Sequence, residues 1–394
     1  MDPRKNPYTP GAGTPPPELA GRDALIERAS IALDRIRAGL FAKSLVLVGL
    51  RGVGKTVLLN QIRLAAESRG IVSVRLEAPE DRSLPALLAP ALRGTLLKLD
   101  RMEAAGAGAK RALRALAGFI SIMKVKFGDV EVGLDMEPER GVADTGDLET
   151  DLADLLEIVG EAAQERKTAF VLFVDELQYI HEDQLAALIT ALHRCAQRQL
   201  PVTLVGAGLP QLVGQTGRAK SYAERLFEFP EVGRLEADAA RQALAVPAER
   251  LHVQYEDAAL DSILEDTQGY PYFLQEWGKH AWAVADQSPI MATDAHMATS
   301  NALAELDASF FRVRFDRLTP AEKRYLRAMA ELGPGPHRSG DVADTLGKSV
   351  TSVGPTRAGL IAKGMIYSPA HGDTAFTVPL FDGFMKRTMP TIPG

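Results

Sequence analysis

The chain has 394 residues, of which 46% are hydrophobic, so it is long enough for two or three domains with ordinary cores. Its net charge of −6 excludes a protein that binds nucleic acid over its whole surface. The single cysteine, Cys195, excludes an internal disulfide, and no apolar run is long enough to span a membrane, so we expect a cytoplasmic protein without a membrane partner.

The first 60 residues predict an arm, a helix, a strand and a second helix. Residues 1–18 are rich in proline and poor in apolar side chains, so we expect an extended arm that does not pack. The spacing of apolar residues predicts a first helix over 22–39. The stretch SLVLV at 44–48 predicts a buried strand, and an apolar helical pattern begins again at Val57.

Between that strand and helix lies the stretch GLRGVGKT at 49–56. This is the P-loop pattern in its required context, and it predicts binding of ATP. Three glycines would turn the backbone with positive φ so that N–H groups point at phosphate oxygens, while Lys55 lies between the β- and γ-phosphates and Thr56 holds Mg²⁺. The predicted nucleotide contacts in this stretch are Gly49, Gly52, Val53, Gly54, Lys55, Thr56 and Val57.

A second strand is predicted at 71–76, and a long insertion follows over about 81–150. Small residues at 104–108 predict a hinge, and alternation over 123–134 around a Gly-Asp turn predicts a β-hairpin. Lys124 and Lys126 would share one face of this hairpin, either as a solvated surface, which we favour, or as a DNA contact. An acidic amphipathic helix over 147–165 leads back to the next strand.

The continuous apolar run at 169–174 predicts a central parallel strand, and it ends at Asp175 and Glu176. We expect Asp175 to bind the Mg²⁺ that Thr56 also holds, and Glu176 to orient or deprotonate the attacking water. An acidic pair in this place is also typical of a solvated strand end. The P-loop upstream favours the catalytic role.

Strands at 202–206 and 226–229 complete a doubly wound parallel sheet. Four helical segments then predict a lid: 237–246, 256–266, 270–284 and 293–306. The aromatic residues of the lid fall at helical spacing, which favours a lid core over a base-stacking platform. They are Tyr270, Tyr272, Phe273, Trp277 and Trp282.

The C-terminal segment opens with a helix that has a capping box of Thr319 and Glu322 and Pro320 at its first position. A short helix over 339–346 follows, and then a third helix with Pro355 in its first turn. Strands are predicted at 364–367 and 375–379. Three helices and a two-stranded wing predict a winged helix-turn-helix.

Basic residues are concentrated in this segment, with nine Lys or Arg against six Asp or Glu over 318–389. We therefore expect duplex DNA to bind here if it binds at all. The candidate contacts are Lys348, Arg357 and Lys363, and we expect Arg357 to enter the major groove. The rest of the third helix is small and polar, so a protein-docking module without a DNA role remains the alternative.

The order of these features resembles the AAA+ ATPases of the Orc1/Cdc6-like group over about 15–389, apart from the insertion. The resemblance implies an α/β P-loop NTPase core with a helical lid and a C-terminal winged helix. Residues 17–23 resemble the group's segment beside the adenine base, which implies a nucleotide contact for Arg22. Residues 221–226 resemble its arginine-finger region, which implies that Arg225 reaches the γ-phosphate of a neighbouring subunit in a homo-oligomer; the alternative is that Arg225 pairs with a local carboxylate.

Two stretches depart from the group's pattern. The end of the fourth strand, GAGLPQ at 206–211, lacks the usual polar residue and is closer to regulators of the ExeA type, so Thr203 or Gln211 would have to substitute. The lid helix at 269–279 has no arginine, which is more similar to STAND-like signalling ATPases.

With Lys55, Asp175, Glu176 and Arg225 as the catalytic residues, we expect slow ATP hydrolysis and a nucleotide-dependent switch. The predicted domains are an arm (1–18), an ATPase domain (19–235, with the insertion at 81–150), a lid (236–308) and a winged helix (309–394).

Overall fold

The computed structural model describes residues 1–79, 81–101, 107–134 and 136–392. The chain divides into two compact units, which we call the sheet unit (Asp23–Val48 and Lys55–Glu231) and the helical unit (Met1–Arg22, Gly49–Gly54 and Val232–Gly394). Residues 49–54 thus group by their contacts with the helical unit, although in sequence they follow a strand of the sheet unit.

The sheet unit is built on five parallel strands in the order β2-β3-β4-β1-β5. The strands are β1 (Ser44–Val48), β2 (Val72–Glu77), β3 (Phe170–Asp175), β4 (Val202–Gly208) and β5 (Phe227–Glu228). Strands β1, β3 and β4 are buried along their whole length, as their continuous apolar runs require. The predicted parallel sheet is confirmed, and all of its carboxyl ends meet at one edge.

Eight α-helices lie in the described residues of the sheet unit. They are α1 (Asp23–Arg37), α2 (Lys55–Ser68), α3 (Leu84–Arg101), α4 (Ala107–Phe127), α5 (Leu148–Glu165), α6 (Glu182–Gln197), α7 (Leu212–Ala219) and α8 (Ala223–Leu226). Cys195 on α6 is fully buried, and this burial raises the pKa of its thiol to about 12, so it is the core residue that its helical spacing predicts. Residues 104–106 of the predicted hinge lie outside the described residues.

The predicted β-hairpin at 123–134 is wrong. Residues up to Phe127 form the end of α4, and residues 128–134 form no strand. The buried positions Leu113, Leu116, Ile120 and Met123 recur every three or four residues, so the helical period continues through the segment that was interpreted as alternating. The helix ends at Gly128, whose φ of +75° suits the residue after a helix.

The helical unit contains nine helices among its described residues. They are α9 (Ala237–Glu249), α10 (Asp257–Thr267), α11 (Pro271–Val284), α12 (Ala292–Ala308), α13 (Phe310–Asp316), α14 (Pro320–Leu332), α15 (Ser339–Thr345), α16 (Val350–Ala362) and α17 (Phe381–Thr388). Helices α9 to α12 match the four predicted lid segments. Phe273, Trp277 and Trp282 on α11 are buried, which confirms their prediction as core.

The C-terminal part has the helix and strand order of a winged helix. Three short strands form an antiparallel sheet in the order β6-β8-β7: β6 (His337–Arg338), β7 (Ile366–Tyr367) and β8 (Asp373–Phe376). The capping box that opens α14 is present, with the Glu322 N–H donating to Thr319 Oγ1 and the Thr319 N–H to Glu322 Oε2. Pro355 is the sixth residue of α16 and not in its first turn, so it removes the N–H that would bond to the carbonyl of Thr351.

The N-terminal arm packs within the helical unit, contrary to the prediction of an unpacked arm. Tyr8 is 3% exposed, and its hydroxyl donates to the carbonyl of Leu244 at 2.5 Å and accepts from the Tyr255 hydroxyl at 2.8 Å. Gly278 faces the Tyr8 ring so closely that a Cβ there would lie 2.7 Å from it. The proline-rich composition therefore predicts an extended backbone correctly but misses the anchor supplied by one aromatic residue.

Across the part of the chain that the structure describes, none of the helices combines the length and the apolar character needed to cross a bilayer.

Candidate nucleotide-binding site

The P-loop turns between the end of β1 and the start of α2. Gly52 and Gly54 have φ angles of +80° and +88°, which side chains strain to adopt. Gly49 does not have a positive φ, contrary to the prediction; it is required for space, because a Cβ there would lie 2.1 Å from the carbonyl oxygen of Val232.

Two backbone hydrogen bonds hold this loop within the helical unit. The Tyr272 N–H donates to the Gly52 carbonyl at 3.1 Å, and the Arg51 N–H donates to the Thr377 carbonyl at 2.9 Å. Tyr272 is the second residue of α11, and Thr377 directly follows β8. These two contacts were not predicted, because backbone partners leave no signal in side-chain type.

Thr56 and Asp175 come together at the carboxyl edge of the sheet. The Thr56 hydroxyl donates to Asp175 Oδ2 at 2.6 Å. Asp175 is 4% exposed, and this burial raises the pKa of its carboxyl against the opposing effect of the Thr56 hydrogen bond. Lys55, one residue before Thr56, is also buried. The structure therefore joins the residue that was predicted from the P-loop to the residue that was predicted from the third strand.

The donor set of this pair fits Mg²⁺. A hydroxyl and a carboxylate oxygen are the hard ligands that this ion takes in phosphate sites. Burial penalises the charge on Asp175, and a bound cation would relieve that penalty. Thr56 and Asp175 are accordingly the residues that would hold the ion, which when bound neutralises phosphate charge.

Glu176 adopts a left-handed backbone conformation with φ 53° and ψ 38°. A residue other than glycine is uncommon in this region, and such conformations concentrate at functional sites. Its N–H donates to Asp175 Oδ1 at 2.9 Å, and its carboxylate accepts a hydrogen bond from Gln178 Nε2. Gln178 was not among the predicted site residues; its signal in the sequence is a polar side chain two positions after Glu176.

Neither substitute proposed for the fourth strand occupies the expected place. Thr203 lies at the beginning of β4 and bonds the Ser44 hydroxyl at 3.0 Å, so it is at the opposite edge of the sheet from Asp175. Gln211 precedes α7, and its Oε1 is buried with no hydrogen-bond partner in the described part of the chain. The group that contacts the end of β4 is Gln178, whose Oε1 accepts from the Leu209 N–H at 3.0 Å.

Arg22 is buried within the helical unit beside the P-loop. Its guanidinium donates to the carbonyls of Val53 at 3.2 Å and Gly233 at 2.6 Å, and burial lowers its pKa. Arg22 thus braces the backbone of the predicted phosphate loop. Its contact with nucleotide remains a prediction.

Arg225 lies on the one-turn helix α8 in the sheet unit and is exposed. Among the described residues its side chain has no hydrogen bond and no ion pair, so the alternative of a local carboxylate partner finds no support. An arginine that reaches a neighbouring subunit must be exposed and must not be held by a carboxylate of its own chain, and Arg225 meets both conditions among the described residues.

Two of the three candidate DNA contacts are engaged inside the winged helix. The Arg357 guanidinium donates to Thr374 Oγ1, Ser368 Oγ and the Asp373 carbonyl at 2.8 to 2.9 Å. Lys363 Nζ lies 2.7 Å from Glu322 Oε2. Lys348 is exposed, at the turn before α16.

Comparison with known proteins places the P-loop and the sheet in a family. Residues 18–205 match the family described as AAA ATPase domain. Residues 18–205 are therefore similar to an AAA ATPase domain, and the parallel sheet has the P-loop AAA+ fold. Residues 308–385 match a domain of unknown function, DUF8462. The expected Orc1/Cdc6-like AAA+ ATPase is thus confirmed at the level of its ATPase domain and fold.

One curated relative of this chain is an uncharacterized HTH-type transcriptional regulator of Methanocaldococcus jannaschii, 23% identical over 347 residues, which are 84% of this chain and 79% of the relative. Among solved structures, a Walker-type ATPase of Pyrococcus abyssi has the same fold, with a TM-score of 0.58 at 16% identity over 95% of this chain and 97% of that chain. The Aeropyrum pernix Orc1 protein in complex with DNA is less similar, with a TM-score of 0.44 at 15% identity over 94% and 93% of the two chains.

Proposed function

We propose that this AAA ATPase binds ATP with Mg²⁺, hydrolyses it slowly and uses the bound nucleotide as a switch in the cytoplasm. The observation that carries the proposal is the 2.6 Å hydrogen bond between Thr56 and Asp175, which joins the P-loop to the acidic pair at the edge of the sheet. Glu176, the next residue, has a backbone conformation that is typical of a functional position.

Each residue has a role that its chemistry supports. The N–H groups of the P-loop and the Lys55 ammonium bind phosphate oxygens, and Thr56 and Asp175 hold the metal ion. Glu176 accepts a proton from the attacking water at its carboxylate. The Mg²⁺ ion, when bound, offsets the negative charge of the phosphates.

The slow rate follows from the groups that the site lacks. Helix α11 contains no arginine, and the last residues of β4, Gly206 to Gly208, have no polar side chain. The polar side chain that contacts the backbone there is Gln178. A guanidinium beside the γ-phosphate accounts for about 10³ to 10⁵ in the turnover of related phosphoryl-transfer sites. We propose that Arg225 of a second copy supplies it, so that assembly controls turnover.

The test is ATP affinity and phosphate release by the purified protein, with Mg²⁺ and with EDTA. Lys55→Ala should weaken ATP binding by about 30-fold, because a charge-assisted phosphate contact contributes about 2 kcal/mol. Lys43→Ala is the matched control, since Lys43 is exposed and bonds only the Glu224 carbonyl among the described residues. Equal ATP affinity of the Lys55→Ala and wild-type proteins would overturn the proposal.

We propose further that the winged helix binds duplex DNA. The similarity to an HTH-type transcriptional regulator and the fold of residues 320–376 support this role. Lys348 is the exposed cation at the start of the recognition helix α16, whereas Arg357 and Lys363 would have to exchange intramolecular partners for DNA. Those partners, together with the 51% exposed Val350 on α16, favour a protein-docking module as the second candidate.

Fluorescence anisotropy with labelled duplexes at low and higher salt, with and without ATP, separates these two functions. DNA binding predicts affinity that falls with salt and that Lys348→Ala weakens evenly across sequences, since a phosphate contact carries no base information. Absence of salt-dependent affinity for any duplex in the presence of ATP would leave the docking function.

A further inference from the structure

Gln178 occupies a buried position between the acidic pair and the end of β4. It lies in the short turn Leu177–Tyr179 that follows Glu176, and it is 6% exposed. Its side-chain amide makes two hydrogen bonds inside the sheet unit: Nε2 donates to Glu176 Oε2, and Oε1 accepts from the Leu209 N–H at 3.0 Å. One uncharged group thus links a carboxylate to the backbone of the neighbouring strand.

The surroundings leave room for this side chain and fix its backbone. A Cβ on Gly208, the last residue of β4, would lie 2.7 Å from Gln178 Oε1, so a larger residue there would displace the amide. The Gln178 carbonyl accepts from Gln215 Nε2 at 3.4 Å on α7. A buried amide with both ends bonded has one defined orientation, which is what holding a partner in place requires.

We propose that Gln178 is a positioning residue for ATP hydrolysis. It holds the Glu176 carboxylate in place and links it to the end of β4. At this position the chain lacks the polar residue that is usual in the Orc1/Cdc6-like group. The inference rests on the proposed function of Glu176 as general base. The Gln178 amide donates to Glu176 through its nitrogen and accepts from Leu209 through its oxygen, so one side chain makes both contacts without adding a charge.

The first test is Gln178→Met, which keeps the side-chain length and removes both hydrogen bonds. We expect kcat to fall by about 10- to 100-fold, since small misplacement of a catalytic group has effects of this size, with ATP affinity unchanged. Gln184→Met is the matched control, because Gln184 is 5% exposed and its Oε1 accepts from the Leu84 N–H at 2.7 Å. It loses an equivalent buried bond outside the site, so it should lose thermal stability but not kcat.

A second measurement uses the nucleotide-free protein. The side-chain amide signal of Gln178 in a ¹⁵N-¹H spectrum, identified by its loss in Gln178→Met, should shift in Glu176→Ala. An unshifted signal would overturn the contact. Wild-type kcat in Gln178→Met, with hydrolysis lost in Glu176→Gln, would overturn the positioning role alone. Absence of hydrolysis in the wild type would overturn the proposed function with it.

Discussion

Asp175 shows, at the scale of single residues, how a site retains a group that does not favour folding. Burial raises the pKa of its carboxyl, so the ionised form is less favourable in the folded chain than in the unfolded chain. For a raised pKa, stability is lowered above the folded-state pKa and recovers as pH falls through it. In the ligand-free protein the ionised Asp175 carboxylate therefore lowers stability, and a bound cation would offset this cost.

We predict that Asp175→Asn raises the thermal midpoint of the ligand-free protein near neutral pH, because the amide carries no charge to desolvate. The gain should shrink as pH falls, since the wild-type carboxyl then becomes protonated. In the same variant, Mg²⁺ should no longer strengthen ATP binding. Differential scanning fluorimetry over a pH series checks the first part. A thermal midpoint of Asp175→Asn below that of the wild type at every pH would contradict the predicted gain in stability.

At the scale of elements, the N-terminal arm is the clearest addition to the predicted structure. We predict that Tyr8→Phe lowers the free energy of unfolding by about 1 to 2 kcal/mol, because it leaves the Leu244 carbonyl without its buried donor. Tyr255→Phe should have a smaller effect, since it removes only the donor to Tyr8. Urea unfolding of both variants measures the difference, and an unchanged stability of Tyr8→Phe would mean that the arm is not anchored in solution.

The elements also show what sequence could and could not predict. The sheet and the acidic pair were predictable because apolar runs and the P-loop depend on local residue type. The hairpin prediction failed because period 2 and period 3.6 agree over a few residues, and the burial of Met123 with the other apolar residues of α4 in the core distinguishes them. Contacts made through the backbone, such as Tyr272 with Gly52, or through a distant strand end, such as Gln178 with Leu209, depend on tertiary placement.

At the scale of the whole molecule, the exposed Arg225 makes the rate of ATP hydrolysis depend on association of two copies of the chain in the proposed mechanism. We predict that Arg225→Ala binds ATP normally but hydrolyses it more slowly, and that mixing it with Lys55→Ala restores turnover. Each variant supplies what the other lacks: Lys55→Ala offers the arginine, and Arg225→Ala offers an intact P-loop. Arg218→Ala is the control, since Arg218 is an exposed arginine that pairs with Glu182 at 3.2 Å.

A steady-state phosphate-release assay of the mixed proteins measures this complementation. Restored activity requires that two chains share one site. Turnover of the mixture equal to the sum of the separate variants would show that each chain completes its own site.

Thr56, Asp175 and Glu176 are proposed as the hydrolytic edge of an ATP site, and turnover by Glu176→Gln at saturating ATP is the decisive measurement. The substitution removes the proton acceptor and leaves the P-loop and the Thr56–Asp175 pair in place. We predict wild-type ATP affinity with turnover lowered by about 10² or more, the contribution of a general base. Wild-type turnover in Glu176→Gln would contradict the account and leave Glu176 as the end of a strand.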